Sequence, residues 1–263
     1  MGFVIEAVTG QRFHDVLRDR VFAPCGMTQT LLLTDHAIIP KRASGYEMGP
    51  RGLANAWRQA PSWRGGAGGI ASTVGDLARW VTALDAGALV DMASLAEMLR
   101  PVVLNDGSTF DYGLGWGTGS YRGLFGYLHT GGGFGYAGEL VRFPGQGVTV
   151  ILLTNLYRFP FHRVGLAIAR AALGLASETP LSRPVSDASA CAALWRNQDG
   201  VEFRLTANAG EVPGLVHRGD DLFHAADDPE TLYRFQDRHL DGFHALSVET
   251  PLFPPEIYHR AAA

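Results

Sequence analysis

The order of apolar and polar residues predicts helices in the first third of the chain. Apolar residues fall at helical spacing in two adjoining stretches, Phe3, Val4, Ala7 and Val8 in the first, and Phe13, Val16, Leu17 and Val21 in the second. Thr9-Gly10 ends the first stretch, because glycine readily adopts the left-handed conformation that terminates helices. A further helix is predicted over 77–84, with Ser72 or Thr73 as its N-cap and Asp76 in its first turn. Residues 31–64 have little periodicity, which predicts a long excursion over the surface.

Residues 101–176 predict a sheet with a helix packed on it. A glycine-rich strand at 127–133 precedes a strand that ends near Phe143, a turn at 144–147 and an apolar strand at 148–153. The segment 161–175 predicts the helix, with Val164, Ile168 and Leu175 among its apolar positions.

The last third changes character after a proline-containing linker at 180–184. Short segments that alternate apolar and polar residues follow, such as 201–205 and 222–224, and are separated by Gly and Asp. This pattern predicts a small β-rich unit. The predicted division is therefore 1–178 for the main domain and 179–263 for a C-terminal β-rich extension.

Composition bounds the class of protein. The chain has 263 residues, of which 46% are hydrophobic and 18% charged, enough to bury a large core. Its net charge of −4 and its scattered arginines argue against a nucleic-acid surface. No apolar run approaches the roughly 20 residues of a membrane span. The start lacks the features of a signal peptide, and the compartment and oligomeric state stay open.

Cofactors and metals are not indicated. Cys25 and Cys191 lie far apart without a Cys-x-x-Cys, which favours two free thiols over a disulfide or a metal site. The histidines at 217, 224, 239 and 244 lack the spacing of a zinc site. We expect no metal and no cofactor.

Four segments follow one another in a set order along the sequence. They are the stretch Phe22-Ala-Pro-Cys-Gly-Met27 followed by Thr30, the cap Ser72-Thr-Val-Gly-Asp76, the segment Tyr112-Gly-Leu-Gly-Trp116, and His129-Thr130-Gly131-Gly132. In this order they resemble the serine β-lactamase and penicillin-binding-protein superfamily. The last is similar to the third motif of that superfamily, Lys-Thr-Gly or His-Thr-Gly on a strand beside the active site. Cys25 replaces the usual Leu. A lone His-Thr-Gly-Gly is more often an ordinary polar stretch of a hairpin, but the shared order of four segments favours the resemblance over that interpretation.

The nucleophile of that superfamily, a Ser followed three residues later by Lys, is not in the sequence. Lys41 is the only lysine, Ile38 lies three residues before it, and none of the eight tyrosines has Asn two residues later. Residues 2–30 resemble the stretch that follows the Tyr-x-Asn motif. We therefore expect a fragment that begins just past that motif.

The resemblance implies an α/β (α+β) fold, a transpeptidase-like antiparallel sheet flanked by helices, incomplete at its N-terminus, with the small C-terminal β-rich unit. It implies a partial site in which the N–H of Gly132 is an oxyanion donor, Thr130 offers a hydroxyl and His129 donates a proton or partial charge. Gly131 and Gly133 let a substrate backbone approach the strand closely. The partner implied is a small-molecule or peptide substrate. His129 in place of Lys leaves β-lactams, peptides and esters open.

Aromatic residues at Tyr46 and Phe134 are candidate substrate contacts, as are Trp57 and Trp63, although packing is the commoner role for such residues. Three hypotheses stay open. The first is the C-terminal portion of a serine hydrolase, inactive as this chain alone. The second is a non-catalytic module that binds a peptide or a cell-wall-like ligand. The third is a hydrolase that uses Ser62 or Ser72 with His129 as its base.

Overall fold

The structure, a computed structural model, describes residues 1–34, 36–49, 51–57, 66–176, 185, 187–208, 211–239 and 242–261. Contacts divide the chain into two compact units, the first comprising 1–100, 113–116 and 127–173, and the second 101–112, 117–126 and 174–263. The second unit thus includes two segments from the middle of the sequence. The domain division at 178/179 stays a prediction, and the linker expected at 180–184 lies outside the described residues.

The helices are α1 Gly2–Thr9, α2 Phe13–Leu17, α3 Val74–Asp85, α4 Met92–Met98 and α5 Phe161–Ala172, with a π-helical turn Arg18–Phe22 directly after α2. Local signals set the end of α1 and the starts of α3 and α4. Gly10 follows α1 in the left-handed conformation, with φ of 68°. The Thr73 hydroxyl accepts a hydrogen bond from the Asp76 N–H and caps α3, and Asp91 caps α4 in the same way.

The apolar side of α1 is not buried. Phe3, Val4 and Val8 are exposed, and Gly2 is the one buried residue of this helix. An added Cβ on Gly2 would lie 3.4 Å from the Gly66 backbone nitrogen, so α1 approaches its neighbour through its smallest residue.

The central sheet has four strands, which are β7 Gly117–Tyr121, β8 Leu124–Gly133, β9 Tyr136–Phe143 and β10 Val148–Thr154, arranged in the order β10-β9-β8-β7. Arg122 and Gly123 connect β7 to β8 and both have positive φ, as a two-residue hairpin turn requires. A 3₁₀ turn, Pro144–Gln146, and Gly147 with φ of 67° connect β9 to β10. The predicted strands at 127–133 and 148–153 and the turn at 144–147 are confirmed.

Helices pack on both faces of this sheet. Leu140 of β9 packs with Val81 and Leu84 of α3, whereas the next residue toward the N-terminus, Glu139, lies against Gly165 of α5. Because neighbouring residues of a strand point to opposite faces, α3 and α5 cover opposite faces. The buried residues of α5 are Gly165, Leu166 and Ala169, while the predicted apolar position Ile168 is exposed. The helix therefore turns its small residues toward the sheet, where Glu139 occupies the space.

Asp76 connects two of the sequence segments noted above. Its side chain is fully buried and accepts hydrogen bonds from the Gln29 N–H at 2.8 Å and the Thr30 hydroxyl at 2.7 Å. It also accepts one at 2.7 Å from the guanidinium of Arg79, a largely exposed side chain. One carboxylate thus joins the turn after Met27 to the start of α3.

Three pairs of short strands lie between residues 31 and 110 of the chain. They are β1 Leu31–Leu32 with β4 Ile70–Ala71, β2 Tyr46–Gly49 with β3 Gly52–Asn55, and β5 Val102–Val103 with β6 Thr109–Phe110. The β2–β3 hairpin lies inside the excursion expected at 31–64. Residues 112–116 form no strand, since the Gly113 N–H donates to the Trp116 carbonyl oxygen at 2.7 Å and β7 begins only at Gly117.

The second unit contains a seven-stranded antiparallel sheet, as the alternating pattern predicted. Its strands are β11 Ala193–Asn197, β12 Glu202–Leu205, β13 Leu215–Gly219, β14 Leu222–Ala225, β15 Asp228–His239, β16 Gly242–Glu249 and β17 Glu256–Arg260, in the order β12-β11-β17-β16-β15-β14-β13. One face carries a core with Trp195, Phe223, Phe235 and Leu246 at its centre. Aromatic rings pack edge to face in it, such as Phe223 and Phe235 with centroids 5.3 Å apart.

Candidate active-site strand

The predicted site residues lie on β8 and at the turn that connects it to β9. Gly133 and Tyr136 pair across a two-residue turn, in which Phe134 has φ of 53° and Gly135 φ of 88°. Positive φ at both positions is the signature of a type I′ hairpin turn, whose twist matches that of the strands. The glycine-rich sequence therefore makes a tight tip at the end of β8.

The register fixes the direction of the Gly132 N–H. The residues next to a two-residue turn form a hydrogen-bonded pair, here Gly133 and Tyr136, and such pairs alternate along an antiparallel ladder with non-hydrogen-bonded ones. Gly132 and Ala137 are thus a non-hydrogen-bonded pair. The Gly132 N–H points to the side of β8 away from β9, where a ligand can accept its hydrogen bond.

The space beside these glycines differs from one to the next. A Cβ added at Gly131 would meet nothing within 4 Å, so this position faces open space. A Cβ at Gly132 would make ordinary contacts with the Tyr136 carbonyl oxygen at 3.6 Å and the Tyr157 ring at 3.7 Å. Tyr157 is thus a neighbour of Gly132 that sequence reasoning missed, because it follows β10 without a recognisable motif.

The tip of the hairpin is held by backbone contacts from residues 45–46. A Cβ at Gly45 would lie 2.7 Å from the Phe134 carbonyl oxygen and 2.9 Å from the Tyr136 ring, so only glycine allows this approach. The Tyr46 N–H donates to the Gly135 oxygen at 3.3 Å and to the Asn155 oxygen at 2.9 Å. The Tyr46 carbonyl accepts from the Tyr157 N–H at 2.9 Å.

Side chains from three segments reinforce the same contact. The Tyr136 hydroxyl donates to the Ala43 oxygen at 2.6 Å, and the Arg42 guanidinium lies 5.8 Å from the Tyr136 ring centroid. The Asn155 amide donates to the Ser44 oxygen at 2.9 Å. Arg42, Tyr136 and Asn155 were not predicted from sequence, and Asn155, a polar residue directly after an apolar strand, gave the only signal.

The predicted site residues are brought together to different extents. His129 is exposed and Thr130 half-buried, and as successive strand residues they point to opposite faces of the sheet. Tyr46 and Phe134 both lie at the hairpin tip, the former through its backbone. Trp57 is exposed with its ring centroid 6.5 Å from that of Phe134, and Trp63 lies outside the described residues.

The serines proposed as alternative nucleophiles receive no support. The Ser72 hydroxyl is 2.7 Å from the Thr30 hydroxyl and so belongs to the network around Asp76. Ser62 lies outside the described residues.

A buried carboxylate lies on the strand next to Thr130. Glu139 is the cross-strand partner of Thr130 and is 3% exposed. One of its oxygens contacts Nδ1 of His162, and a Cβ at Gly165 would lie 2.2 Å from the other. This pair joins β9 to α5.

Burial shifts the pKa of two side chains in the first unit. The pKa of Tyr127 on β8 is raised, mainly by burial and then by the charge of Asp85, against the opposing effect of Arg142. Burial also raises the pKa of the Cys25 thiol. Among the described residues, no cluster of three or more His, Cys, Asp or Glu could hold a metal ion. Nor is any helix in the described ranges long and apolar enough to cross a membrane.

The sequence matches a known protein family. The sequence profile described as Beta-lactamase matches residues 1–175. Penicillin-binding protein 4 of Amycolatopsis lactamdurans is 32% identical over 170 residues, which are 59% of this chain and 44% of that protein. This chain therefore spans less than half the length of that curated relative.

Solved structures share the fold. The octameric penicillin-binding protein homologue from Pyrococcus abyssi superposes with a TM-score of 0.60 at 17% identity, covering 98% of this chain and 62% of that one. The D-amino acid amidase from Ochrobactrum anthropi SV3, complexed with L-phenylalanine, gives a TM-score of 0.54 at 26% identity over 65% of this chain and 52% of that one. The predicted fold class, a mixed antiparallel sheet with helices, is confirmed.

Proposed function

Because this chain belongs to the Beta-lactamase family, we propose that it forms the substrate-binding part of a serine hydrolase that cleaves a β-lactam, peptide or ester bond. The observation that carries the proposal is the direction of the Gly132 N–H, which points away from β9. The neighbouring position, Gly131, faces open space. A backbone donor on a rigid strand, with room for a substrate beside it, is what an oxyanion site requires.

In the proposed reaction a serine Oγ attacks the substrate carbonyl carbon, and the carbonyl oxygen becomes negative. The Gly132 N–H donates a hydrogen bond to that oxygen, while the amine or alcohol leaves as the C–N or C–O bond breaks. Water then hydrolyses the acyl-serine. The serine and its general base come from outside the sequence given, since no Ser-x-x-Lys can be written in it.

The two polar residues of the strand have separate tasks in this proposal. His129 points to the same face as the open position Gly131 and interacts with a substrate carboxylate or ester group there. The Thr130 hydroxyl lies on the opposite face, and approaches the substrate only from the edge of β8. The contacts at Tyr46 and Phe134 keep the tip rigid, so the Gly132 donor is already aimed when the substrate arrives.

An amide is the substrate class that the relatives favour. A penicillin-binding protein is 32% identical over the matched region, and a D-amino acid amidase has the same fold at 26% identity. A β-lactam ring and an amino acid amide both contain an acyl C–N bond. His129 in place of Lys leaves room for either.

The first test is made on the chain of 263 residues alone. We expect no hydrolysis of nitrocefin, p-nitrophenyl acetate or D-phenylalanine p-nitroanilide above the protein-free rate, and no labelling by a fluorophosphonate probe. Turnover with labelled Ser62 or Ser72 would overturn the proposal in favour of a nucleophile within the chain.

The second test addresses the donor itself, in a complete enzyme that contains this chain. Gly132→Pro removes the N–H and should lower kcat about 10²–10³-fold, as loss of one oxyanion donor does. Gly132→Ala is the matched control, because it keeps the N–H and its Cβ makes only ordinary contacts. If the complete protein also fails to hydrolyse any substrate but binds a peptide saturably, the non-catalytic binding module is the better description.

A further inference from the structure

The ring of Tyr157 lies against Gly132, the residue whose N–H points away from β9. A Cβ added at Gly132 would lie 3.7 Å from Cε2 of Tyr157, so the ring lies on the face of β8 to which a side chain at 132 would point. Tyr157 is 40% exposed and is therefore no part of the buried core. An accessible aromatic ring thus stands directly beside the residue that carries the proposed donor.

Backbone contacts fix the position of this ring. The Tyr157 N–H donates to the Tyr46 carbonyl oxygen at 2.9 Å, and Leu156 forms a parallel bridge with Tyr46. Arg158, the next residue, has φ of 64°, an uncommon conformation for a residue with a Cβ. Backbone of this kind persists where the surrounding structure fixes it, often at binding sites. The ring is therefore in place before a ligand arrives.

Gly132 leaves a gap on the same face of β8. Its cross-strand partner is Ala137, a small and buried residue, and cross-strand partners face the same side of a sheet. The ring of Tyr157 closes one side of this gap. A glycine in a strand is stabilised when an aromatic side chain of the adjoining strand covers it. The gap over Gly132 therefore suits an aromatic group that a bound, extended ligand brings to the edge of β8.

The direction of the Gly132 backbone determines which part of a substrate enters this gap. Its N–H and C=O both point away from β9, so an extended substrate antiparallel to β8 forms a hydrogen-bonded pair with Gly132. The substrate residue in that pair is the one whose carbonyl oxygen accepts from the Gly132 N–H, which is the acyl residue. In an L-amino acid its side chain lies on the same face as the missing Cβ of Gly132, about 5 Å from it.

We propose that Tyr157 is a specificity-determining residue that selects an aromatic side chain on the acyl residue of the substrate. This inference rests on the proposed hydrolase function and names the acyl group that the site accepts. An aromatic side chain fills the gap over Gly132 and packs against the Tyr157 ring, and such ring pairs contribute more than their buried area alone. The methyl group of an alanine residue is too short to reach the ring.

The test compares N-acetyl-L-phenylalanine p-nitroanilide with N-acetyl-L-alanine p-nitroanilide as substrates of a complete enzyme that contains this chain. We expect a higher kcat/KM for the phenylalanine substrate, and Tyr157→Ala should lower the ratio of the two values about 3–10-fold, as loss of an aromatic pair does. Tyr157→Leu keeps most of the apolar volume without a ring and should also lower the ratio, whereas Tyr157→Phe should retain it. A ratio that Tyr157→Ala leaves unaltered overturns the inference.

Two controls separate this contact from general effects. Phe125→Ala removes an exposed aromatic residue at the other end of β8 and should leave the ratio unchanged. In the D-enantiomers of both substrates the same backbone pairing directs the side chain away from the Tyr157 face, so Tyr157→Ala should leave their ratio unchanged. An equal loss with the D-enantiomers overturns the inference.

The same experiment distinguishes failure of this inference from failure of the proposed function. If a complete enzyme cleaves none of the four anilides, the proposed function and the inference are both overturned. If it cleaves them with a ratio that does not depend on residue 157, the inference alone is overturned.

Discussion

Replacing Asp76 by alanine should destabilise the first unit far more than loss of an ordinary helix cap does. The substitution leaves the Gln29 N–H and the Thr30 hydroxyl without the acceptor that each contacts within 2.8 Å. Each unsatisfied buried group costs about 1–3 kcal/mol, so we expect a loss of about 3–5 kcal/mol in the free energy of unfolding. Arg79 adds little to this loss, because its side chain is 58% exposed and regains water.

The chain contains a matched control and an intermediate variant. Asp91 also lies at the start of a helix, but its contact with the backbone N–H of Ser94 is exposed, so Asp91→Ala should cost only about 1 kcal/mol. Asp76→Asn keeps one oxygen for Gln29 and Thr30, and should fall in between, at about 1–2 kcal/mol.

Urea titration followed by near-ultraviolet circular dichroism is the assay, because Trp80 of α3 stacks on Trp116 with ring centroids 5.6 Å apart and reports on this unit. The linear extrapolation of each transition gives the free energy of unfolding. Equal destabilisation by Asp76→Ala and Asp91→Ala would refute the reasoning, since it would mean that the buried hydrogen bonds of Asp76 stabilise the unit no more than the exposed cap at Asp91 does.

Two further predictions concern single positions. Gly45→Ala should lower the melting temperature, since its Cβ would lie 2.7 Å from the Phe134 oxygen, whereas Gly131→Ala, with nothing within 4 Å, should leave it unchanged; the reverse order in calorimetry would contradict the described contacts. Burial raises the pKa of the Cys191 thiol from 9.0 to about 12, so the stability that depends on its neutral form is complete below pH 9 and is lost as the pH rises toward 12. Urea midpoints at several alkaline pH values should therefore fall less steeply for Cys191→Ala than for the unsubstituted chain, and equal slopes would contradict the linkage.

Local signals were enough to predict the end of α1, the start of α3 and the turn between β9 and β10. Thr73 caps α3 because its hydroxyl is one turn from an unpaired N–H, Gly10 adopts the left-handed conformation predicted for it, and Gly147 lies in the predicted turn. These choices depend on neighbours within a few residues. They are therefore visible in the order of residue types.

Contacts between distant residues were not visible in this way. The Tyr136 hydroxyl bonds to Ala43, 93 residues earlier, and no periodicity announces such a contact. The side of α5 that packs on the sheet was predicted wrongly for a similar reason. Gly165 faces the sheet because it leaves room for Glu139, which lies 26 positions earlier in the chain. The His129–Gly133 strand was predicted by resemblance, while the direction of its N–H groups required the register of the ladder.

The contact at the hairpin tip has a consequence for redesign. Residues 45–46 hold the tip mainly through main-chain atoms, whereas the side chains of Met48 and Leu53 on the β2–β3 hairpin point into solvent. Backbone bonds survive a change of side chain but not a change of loop length. Randomising Met48 and Leu53 at fixed length should thus leave the hairpin tip and the Gly132 donor undisturbed, whereas insertions near Gly45 should remove the backbone contacts that hold the tip.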